Sequence, residues 1–499
     1  MRRVWVRELA GWSGALAVAM VTVAQVASSA RSELLFRDGD SLIVGMFARS
    51  VLSGAPLDWA MSSVLFVPEA AVFAGLDAVL PLDVNGVLIV NAVINMLALY
   101  GALRLVVGRR RDDTAPVTWA LLGLAVFGVL AMTDVSGSRD ALELASLLIT
   151  TTYYSATVVA AVLCVGFVRR VIDRDEGGAA LLIALGVTAA VSTLSNPLFA
   201  VWATIPITVL LAAMIIRSPR RIRVAMLIVV LVIGTALGFL GRIPLRAWIA
   251  NTGAGYIQPE RWVESLGYYG GLLADRLATP TGAIGTLIVI ALVVLAILRT
   301  VRGEDPGSRF VATAAWVMPV LVVIGAIGLG THAARYLQPL AFAPVLALVA
   351  APRSWRMPVG VPSLLAGAAA VLLAVGGALS VPRIVDLSAA PDPDLTCVTD
   401  WVDSSARIGG GQFWTVRLPK LHVEDPARLV QVDHELNGYA WLVDRGDFDV
   451  DGVSFLVEDA QTVAWQLPTP AIPDEVIECG RYRILDFGDT VLPLGPPHS

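Results

Sequence analysis

The chain has 499 residues, of which 56% are apolar and only 15% are charged. Soluble globular proteins carry about 25% charged residues, so this composition excludes an ordinary soluble enzyme, a disordered chain and a small disulfide scaffold. The net charge of −5 combines +7 over residues 1–381 with −12 over residues 382–499, and an acidic tail argues against a nucleic acid as partner.

Apolar runs long enough to cross a bilayer recur along residues 1–381, since a spanning helix needs about 20 such residues. The fold class expected is therefore a mainly α, multi-pass transmembrane helical bundle. The segment 62–80 contains Glu69 and Asp77, and we interpret it as a helix on the outer leaflet; counting it as a span gives the alternative of twelve. The eleven predicted spans are residues 10–28, 85–107, 115–134, 150–168, 178–194, 197–216, 224–241, 279–298, 310–330, 338–351 and 359–381.

Arginine placement predicts the orientation, because cytoplasmic loops are enriched in basic residues. Arginines cluster in alternate loops, which puts the N-terminus in the cytoplasm and the tail outside the cytoplasmic membrane. These clusters lie at residues 2–7, 109–111, 169–174, 217–223, 299–309 and 353–356.

Two domains are expected: a transmembrane module over 1–381 with a long first outer loop at 29–84, and an extracytoplasmic acidic domain over 382–499. The tail has short β-like runs separated by turn signals, which predict a small α+β domain. Its cysteines, Cys397 and Cys479, could pair in an oxidising space. The predicted tail elements are a helix at 396–405 and strands at 412–417, 429–432, 453–457 and 482–487.

The first candidate site is the segment 36–40, which follows the first predicted span. Asp38 and Asp40 stand two residues apart, and Gly39 allows a tight turn that points both carboxylates one way. Such a pair suits a general base that deprotonates an acceptor hydroxyl, or a divalent-cation site. The alternative is a solvated acid pair that caps the helix expected from Ser41.

The second candidate site is the outer loop 331–339, which contains His332, Arg335 and Tyr336. An arginine between two apolar spans needs an anionic partner, and a guanidinium matches the oxygens of a phosphate. The alternative is an arginine that reaches the lipid headgroups, with Tyr336 in the aromatic belt.

The third candidate is the loop 242–277, where aromatic and polar residues such as Tyr256 and Arg261 alternate. This mixture suits carbohydrate stacking or a lid facing lipid, and it equally suits interfacial anchoring. Glu69 is unusual in an apolar segment and could face inward. The sequence contains no motif for nucleotide hydrolysis, zinc proteolysis or serine hydrolysis.

The layout resembles the GT-C membrane glycosyltransferases, and in particular the bacterial branch with dolichyl-phosphate-mannose-like and aminoarabinose transferases. The resemblance covers the whole chain: an acid pair in the first outer loop, about a dozen spans, an outer R-Y-x-x-P motif and an outer C-terminal domain. Segments 410–414 and 439–442 also resemble the tails of bacterial members. The matching motifs are Arg37-Asp38-Gly39-Asp40 and His332-Ala333-Ala334-Arg335-Tyr336-Leu337-Gln338-Pro339.

The resemblance implies an enzyme that moves a sugar from a polyprenyl-phosphate carrier to an envelope lipid, glycan or protein, with inversion at the anomeric carbon. Asp38 best matches the general base, and Asp40 is the alternate. Arg335 would hold the carrier phosphate, with His332 and Tyr336 nearby. The other candidate substrate contacts are Arg37, Glu69, Tyr256 and Arg261.

The resemblance does not decide whether the protein binds a metal ion. Some members carry metal-binding acids in a second outer loop, where this chain offers only Asp134, Asp140 and Glu143, so a divalent cation is neither required nor excluded. Two other functions stay open: a non-catalytic envelope scaffold whose tail binds partners, and a transporter of an envelope lipid. A transporter predicts inverted repeats and charges at the bilayer midplane.

Overall fold

The fold is described from a computed structural model of the chain. It describes residues 2–54, 56–108, 114–174, 178–216, 219–303, 305–353, 361–468 and 470–499. Parts of the predicted arginine-rich loops, residues 109–111, 217 and 356, lie outside this range, as do the first two residues of the predicted span 359–381.

The described chain is mainly helical. Short 3₁₀ segments accompany the α-helices at Ser146–Ile149, Arg246–Trp248, Ala254–Tyr256, Pro259–Arg261, Ala334–Leu337, Pro426–Arg428 and Arg445–Phe448, and a π-helix lies at Ala200–Thr204. The α-helices are α1 (Arg2–Ala27), α2 (Ser32–Phe36), α3 (Ile43–Ser53), α4 (Val67–Val79), α5 (Val84–Val106), α6 (Pro116–Met132), α7 (Ser155–Ile172), α8 (Ala179–Ser195), α9 (Ile205–Ile215), α10 (Arg221–Gly241), α11 (Trp262–Leu277), α12 (Pro280–Arg302), α13 (Pro306–Gly328), α14 (Pro339–Phe342), α15 (Leu346–Ala350), α16 (Val361–Ser388), α17 (Pro393–Ser405) and α18 (Phe413–His422).

Within the described residues, seven helices are long and apolar enough to cross a membrane. They are Trp5–Ala27, Val84–Val107, Ser155–Ile172, Arg221–Gly241, Pro280–Arg302, Pro306–Gly328 and Gly367–Ser388.

The predicted count of eleven spans is not confirmed, because four of the predicted runs hold shorter apolar helices. These four are Pro116–Met132, Ala179–Ser195, Ala200–Ile216 and Ala334–Ala350. The segment 62–80, the source of the twelve-span alternative, holds α4, whose first turn contains the buried Glu69.

The described residues form two compact units. The helical unit comprises Met1–Ser32, Ile89–Ile243 and Ala254–Leu387, and the mixed unit comprises Glu33–Leu88, Pro244–Gly253 and Ser388–Ser499. The mixed unit therefore contains the tail together with most of the first outer loop, although more than 300 residues of chain separate them.

Close helix packing in the helical unit depends on small residues. A Cβ on Gly234 of α10 would lie 2.5 Å from the carbonyl oxygen of Gly186 in α8, and one on Gly238 would lie 2.5 Å from the carbonyl oxygen of Ala190. Small residues let two backbones approach in this way, which is typical of helix pairs in membranes.

The mixed unit is built around a sheet of seven strands among the residues described, in the order β11-β4-β3-β2-β7-β9-β8. Strands β3, β2 and β7 are mutually parallel, and the remaining neighbours are antiparallel except for β11 and β4. The strands are β1 (Trp59–Ala60), β2 (Gly409–Gln412), β3 (Leu429–Val432), β4 (Asn437–Tyr439), β5 (Val443–Asp444), β6 (Gly452–Val453), β7 (Phe455–Glu458), β8 (Glu475–Cys479), β9 (Tyr482–Asp486), β10 (Leu492–Pro493) and β11 (Gly495–His498).

Both faces of this sheet are covered, so its central strands are buried throughout. Phe455 and Val457 belong to a core shared with Val398 of α17 and Val416 of α18, whereas Leu456 belongs to the core on the opposite face. Residues that alternate along a strand point to opposite faces, and strands buried on both faces read as continuous apolar runs.

Among the predicted helix and strands of the tail, all but one are confirmed. Helix α17 covers the predicted helix 396–405, and β3, β7 and β9 overlap the predicted strands at 429–432, 453–457 and 482–487. The predicted strand 412–417 is wrong, because the strand β2 ends at Gln412 and α18 begins at Phe413. β2 is formed by glycines, and a Cβ on Gly409 would collide with the Phe455 ring. The strand therefore carries no β-branched signal, and packing of α18 overrides the β-propensity of the residues after it.

The first loop is joined to the tail by backbone pairing inside the mixed unit. β1 pairs antiparallel with β5, with Trp59 opposite Asp444 and Ala60 opposite Val443. Arg445 adds an ion pair to Asp58 at 2.9 Å. The first loop, residues 244–253 and the tail consequently fold as one body, as the parallel bridge from Met61 to Ile249 also indicates.

A disulfide joins Cys397 of α17 to Cys479 of β8 across 82 residues. The double variant Cys397→Ala/Cys479→Ala is expected to lower the free energy of unfolding of the mixed unit by about 2 to 4 kcal/mol, since a crosslink of this span restricts the unfolded chain. Chemical unfolding of the purified protein, with and without reductant, measures the effect. Reductant should destabilise the wild type and leave the double variant unchanged; equal curves for the reduced and oxidised wild type would contradict the expectation.

Candidate functional site

The acid pair lies in a tight turn between α2 and α3 of the mixed unit. Asp38 and Asp40 are both partly exposed, and Gly39 between them is buried. Oδ2 of Asp38 accepts hydrogen bonds from the backbone N–H of Ser41 at 3.2 Å and from its hydroxyl at 3.3 Å. Asp38 therefore stabilises the turn itself, in the manner of the capping alternative, and the turn presents both acids on one loop.

A buried arginine of the tail, Arg417, is hydrogen-bonded to the main chain of this turn. The Arg417 side chain is fully buried, and its Nε donates to the Gly39 carbonyl at 2.6 Å. Its Nη1 donates to the Leu442 carbonyl at 2.6 Å and to Oε1 of Gln431 at 3.3 Å. Burial lowers the pKa of Arg417 to about 10, although the negative charges of Asp40 and Asp38 act in the opposite direction. The positive charge beneath the turn therefore stabilises a site that carries two carboxylates.

Gly39 is closely packed at this contact. A Cβ on Gly39 would lie 3.2 Å from Cε3 of Trp414 and 3.3 Å from Cδ of Arg417. The sequence pattern missed Arg417, because it fell at the end of the wrongly predicted strand. The available signal was a basic residue in a short run that is otherwise apolar.

The other candidate residues of the mixed unit take separate places. Arg37 is half exposed and lies 3.4 Å from Oδ2 of Asp392 and 3.8 Å from Glu33. Asp392 in turn lies 2.7 Å from Arg481, so Arg37 is part of a surface ion network. Glu69 is 7% exposed in the first turn of α4 and is not part of the acid turn.

The second candidate site lies in the helical unit, around the non-helical start of the segment 331–338. The Arg335 side chain is 19% exposed, and its Nη1 lies 3.7 Å from Oδ1 of the half-exposed Asp140. Its Nε donates to the Tyr154 hydroxyl at 3.3 Å, and its Cζ lies 5.8 Å from the centroid of the Tyr336 ring. The exposed His332 lies three residues before Arg335, and its ring lies 5.4 Å from the Tyr268 ring. The structure therefore brings Arg335 and Tyr336 together, whereas the described contact of His332 is with Tyr268.

Two irregular backbone segments meet at this arginine. Tyr154 has a φ of +67°, a conformation that is strained for an aromatic residue and that persists only where the surroundings enforce it. Its ring lies edge-on to Trp202 at 5.8 Å. Trp202 belongs to the π-helix, and its Nε1 donates to the Tyr336 carbonyl at 3.0 Å. Strained residues and π-helices cluster at functional sites, and here both contact the loop of Arg335.

A further hydrogen bond fixes the same two segments to each other. Nε2 of Gln338 donates to the Tyr153 carbonyl at 2.9 Å, and both residues are buried. Non-helical backbone inside a bilayer is tolerated only where it is buried in protein or lines a cavity. Sequence patterns did not identify Tyr153 and Tyr154 as part of this site, because their contacts lie some 180 residues away along the chain.

Two of the three acids considered for a metal form buried ion pairs with arginines, and the third, Asp140, is the exposed partner of Arg335. Asp134 lies 3.0 Å from Arg276, and Glu143 lies 3.1 Å from Arg31. All four side chains are at most 10% exposed, so these are internal ion pairs. Among the described residues, no group of three or more histidine, cysteine, aspartate or glutamate residues is placed to hold a metal ion.

The remaining candidates, Tyr256 and Arg261, lie before α11. Tyr256 is 44% exposed at the end of a 3₁₀ turn. Nε of Arg261 donates to Glu264 at 2.7 Å, and its Nη1 donates to Oε1 of Gln258 at 2.8 Å. Both residues are therefore on an exposed surface, and Arg261 is engaged there by its own neighbours.

Comparison with protein-family models finds no match, and comparison with curated proteins finds no significant match. The chemistry of the site therefore rests on its geometry. The helical unit offers a guanidinium supported by two tyrosines beside apolar helices, which suits a phosphate on a lipid carrier. The mixed unit offers two carboxylates on one turn, which suits proton transfer.

Proposed function

We propose that the protein is a multi-pass membrane glycosyltransferase of the GT-C type, which moves a sugar from a polyprenyl-phosphate carrier to an envelope acceptor. Asp38 and Asp40 are the proposed bases that activate the acceptor hydroxyl, and Arg335 is the proposed ligand of the carrier phosphate. The reaction takes place on the outer side of the cytoplasmic membrane and inverts the anomeric carbon.

The observation that carries the proposal is the arrangement around Arg335. An ionisable side chain in the membrane region of a protein costs free energy, and arginines retained there usually serve a function. The Tyr154 hydroxyl orients the guanidinium, and Asp140 approaches it only to 3.7 Å from an exposed position. The leaving group of this reaction is a phosphate, so stabilising its charge is the main catalytic requirement.

The mixed unit supports the eleven-span path. Its three chain segments share backbone pairing, so they lie on one side of the membrane and the chain crosses an even number of times between them. The long helices alone give three crossings between residues 88 and 244 and three between 253 and 388, an odd number in each interval. Adding the four shorter apolar helices gives six and four, and with the first helix this makes eleven.

The disulfide supports an outer location for the mixed unit. Disulfides persist in oxidising spaces and are rare in the cytosol, and Cys397 and Cys479 are bonded. The acid turn belongs to the same unit. Both observations agree with the orientation predicted from the arginine-rich loops.

The proposal is tested with the acid turn. A strain without the gene is complemented with the wild type or with Asp38→Asn/Asp40→Asn, and the envelope glycans are profiled by mass spectrometry. The double variant is expected to match the deletion strain, because an amide cannot accept the acceptor's proton. The control Asp58→Asn, an exposed acid in the same loop, should restore the wild-type profile.

Two results would contradict the proposal. One is a double variant that restores the glycans fully, and the other is a deletion that leaves the glycans unchanged. Expression and membrane insertion of each variant are checked by immunoblotting, so that loss of the protein is separated from loss of activity.

A non-catalytic scaffold is the second candidate, and one observation favours it. The acid turn is bound through its main chain to Arg417 and through Asp38 to Ser41, which is also what a purely structural turn requires. A scaffold predicts that Asp38→Asn/Asp40→Asn restores the strain, whereas a variant that disrupts the mixed unit does not.

A further inference from the structure

Helix α11 contacts the rest of the helical unit through polar side chains. Ser265 and Tyr269 are buried, and both contact Thr331: Oγ of Ser265 donates to the Thr331 carbonyl at 2.6 Å, and the Tyr269 hydroxyl lies 2.8 Å from Oγ1 of Thr331. Arg276, on the same face, forms its ion pair with Asp134 at 3.0 Å. The inner face of this helix is therefore held by hydrogen bonds and a salt bridge.

The outward side of α11 is apolar instead. A surface helix in water has the opposite arrangement, with apolar residues inside and polar residues outside. This side therefore suits an apolar environment. The large apolar side chains on it, between 41% and 59% exposed, are Trp262, Val263, Leu266, Leu273 and Leu277.

Successive residues of an α-helix are rotated by 100° about its axis, so the side chains of α11 can be assigned to three sides of the helix. Trp262, Leu266, Leu273 and Leu277 fall within about 60° of one another, and the buried Ser265 and Tyr269 lie to one side of this strip. The acids Glu264 and Asp275 lie about 180° from the strip, and both are exposed. The helix thus has one side for protein, one for an apolar phase and an opposite one for water.

The chain itself indicates which apolar phase this is. Two residues after α11 ends, α12 begins at Pro280 and continues as a candidate spanning helix. Its outward side chains, such as Ile284 and Leu287, are 53% and 65% exposed. The exposed side of α11 is therefore continuous with a surface that belongs in lipid.

We propose that α11 lies in the surface of the lipid bilayer, with its axis along the membrane plane and its Trp262–Leu277 strip among the acyl chains. Its 16 residues reach about 24 Å, less than the hydrocarbon thickness of about 30 Å. Aromatic residues such as Trp262 prefer this boundary. The inference does not depend on sugar transfer, and it fixes the depth of the Arg335 loop, because Thr331 is bonded to the inner face.

Spin labels on single introduced cysteines test the orientation. The native cysteines do not compete, because Cys164 is buried and the other two are disulfide-bonded. The labelled variants are Leu266→Cys and Leu273→Cys on the apolar strip and Gly271→Cys as the matched control. A Cβ on Gly271 meets no atom within 4 Å, so the control label fits without strain.

The labelled full-length proteins are reconstituted in vesicles of phosphatidylethanolamine and phosphatidylglycerol, and label depth is measured from collisions with oxygen and with a water-soluble nickel chelate. Leu266→Cys and Leu273→Cys should report the same depth, about 5 to 10 Å below the headgroup boundary. Gly271→Cys should be accessible to the nickel chelate. Circular dichroism and gel filtration confirm that each labelled protein is folded.

Three outcomes would overturn the inference. Access of the nickel chelate to both leucine positions would place the strip in water. Depths of the two leucine-position labels that differ by about 10 Å, the rise of two helical turns, would show that the helix axis runs across the membrane. Shielding from both reagents, with magnetic coupling between labels on two molecules, would identify a second copy of the chain as the cover.

Discussion

Replacement of Arg335 by alanine is expected to lower the rate of the proposed sugar transfer by about two to three orders of magnitude, as removal of one group that stabilises transition-state charge does elsewhere. The guanidinium is the cation of the loop 331–338, and Tyr154 holds it in place at 3.3 Å. Arg335→Lys keeps the charge but loses the planar fork that matches phosphate oxygens. We expect an intermediate rate for the lysine variant.

The measurement is kcat/KM of the purified protein with a polyprenyl-phosphate-linked sugar. Arg309→Ala is the matched control, because Arg309 is an exposed arginine of the same unit that contacts only a backbone carbonyl among the bonds described, at Gly303. Its rate should stay within about twofold of the wild type, as an exposed charge contributes little. A wild-type rate in Arg335→Ala would remove the phosphate-binding role of this loop.

Replacement of Lys420 by methionine is expected to destabilise the mixed unit by about 3 to 5 kcal/mol, because it leaves a buried carboxylate without its partner. Lys420 is the only lysine of the chain. Its side chain is 3% exposed, and Nζ lies 2.8 Å from Asp447. Nζ also donates to the carbonyls of Pro426 and Leu429 at 2.6 and 2.9 Å.

The pH dependence of this loss has a definite sign. Burial raises the pKa of Asp447, and the charge of Lys420 opposes that rise. Without the lysine, the folded variant holds a proton on Asp447 that the unfolded chain releases as the pH rises above about 4. The destabilisation should therefore be small in acid and should grow toward neutral pH.

Urea unfolding of the purified full-length protein at several pH values measures this effect. The double variant Lys420→Met/Asp447→Leu should recover most of the lost stability, because two apolar side chains replace the pair. Arg428→Met is the control: its partners Asp403 and Asp425 lie at 3.9 and 3.8 Å near the surface, so it should cost less than about 1 kcal/mol. A Lys420→Met variant as stable as this control would refute the assignment.

The sequence predicted those parts of the fold that local patterns determine. Long apolar runs located the helices of the helical unit, and turn residues around alternating runs located most of the tail. The strand β2 was not predicted, because Gly409–Gln412 carries almost no side-chain pattern. The reason for glycine at position 409 is the Phe455 ring of the neighbouring strand, which leaves no space for a Cβ there. The predicted division between the spans 178–194 and 197–216 coincides with the interruption at Asn196-Pro197, since α8 ends at Ser195 and the π-helix begins at Ala200.

Sequence patterns predicted only those residues of each candidate site that lie within one short segment of the chain. The acid turn and the Arg335 loop each stand in one short segment, so their residues could be named. Arg417 contacts Gly39 across 378 residues, and Tyr154 contacts Arg335 across 181. Contacts at such separations leave no periodic trace in a single sequence, and the supporting residues of both sites were therefore missed.

The division of the mixed unit among distant segments sets the order of events during synthesis. Strand β1 at Trp59–Ala60 finds its partner only when Val443–Asp444 has been made. At about 5 to 20 residues per second, this edge waits roughly 20 to 80 s for its partner. The first loop of the mixed unit therefore completes its pairing only after the tail has been made.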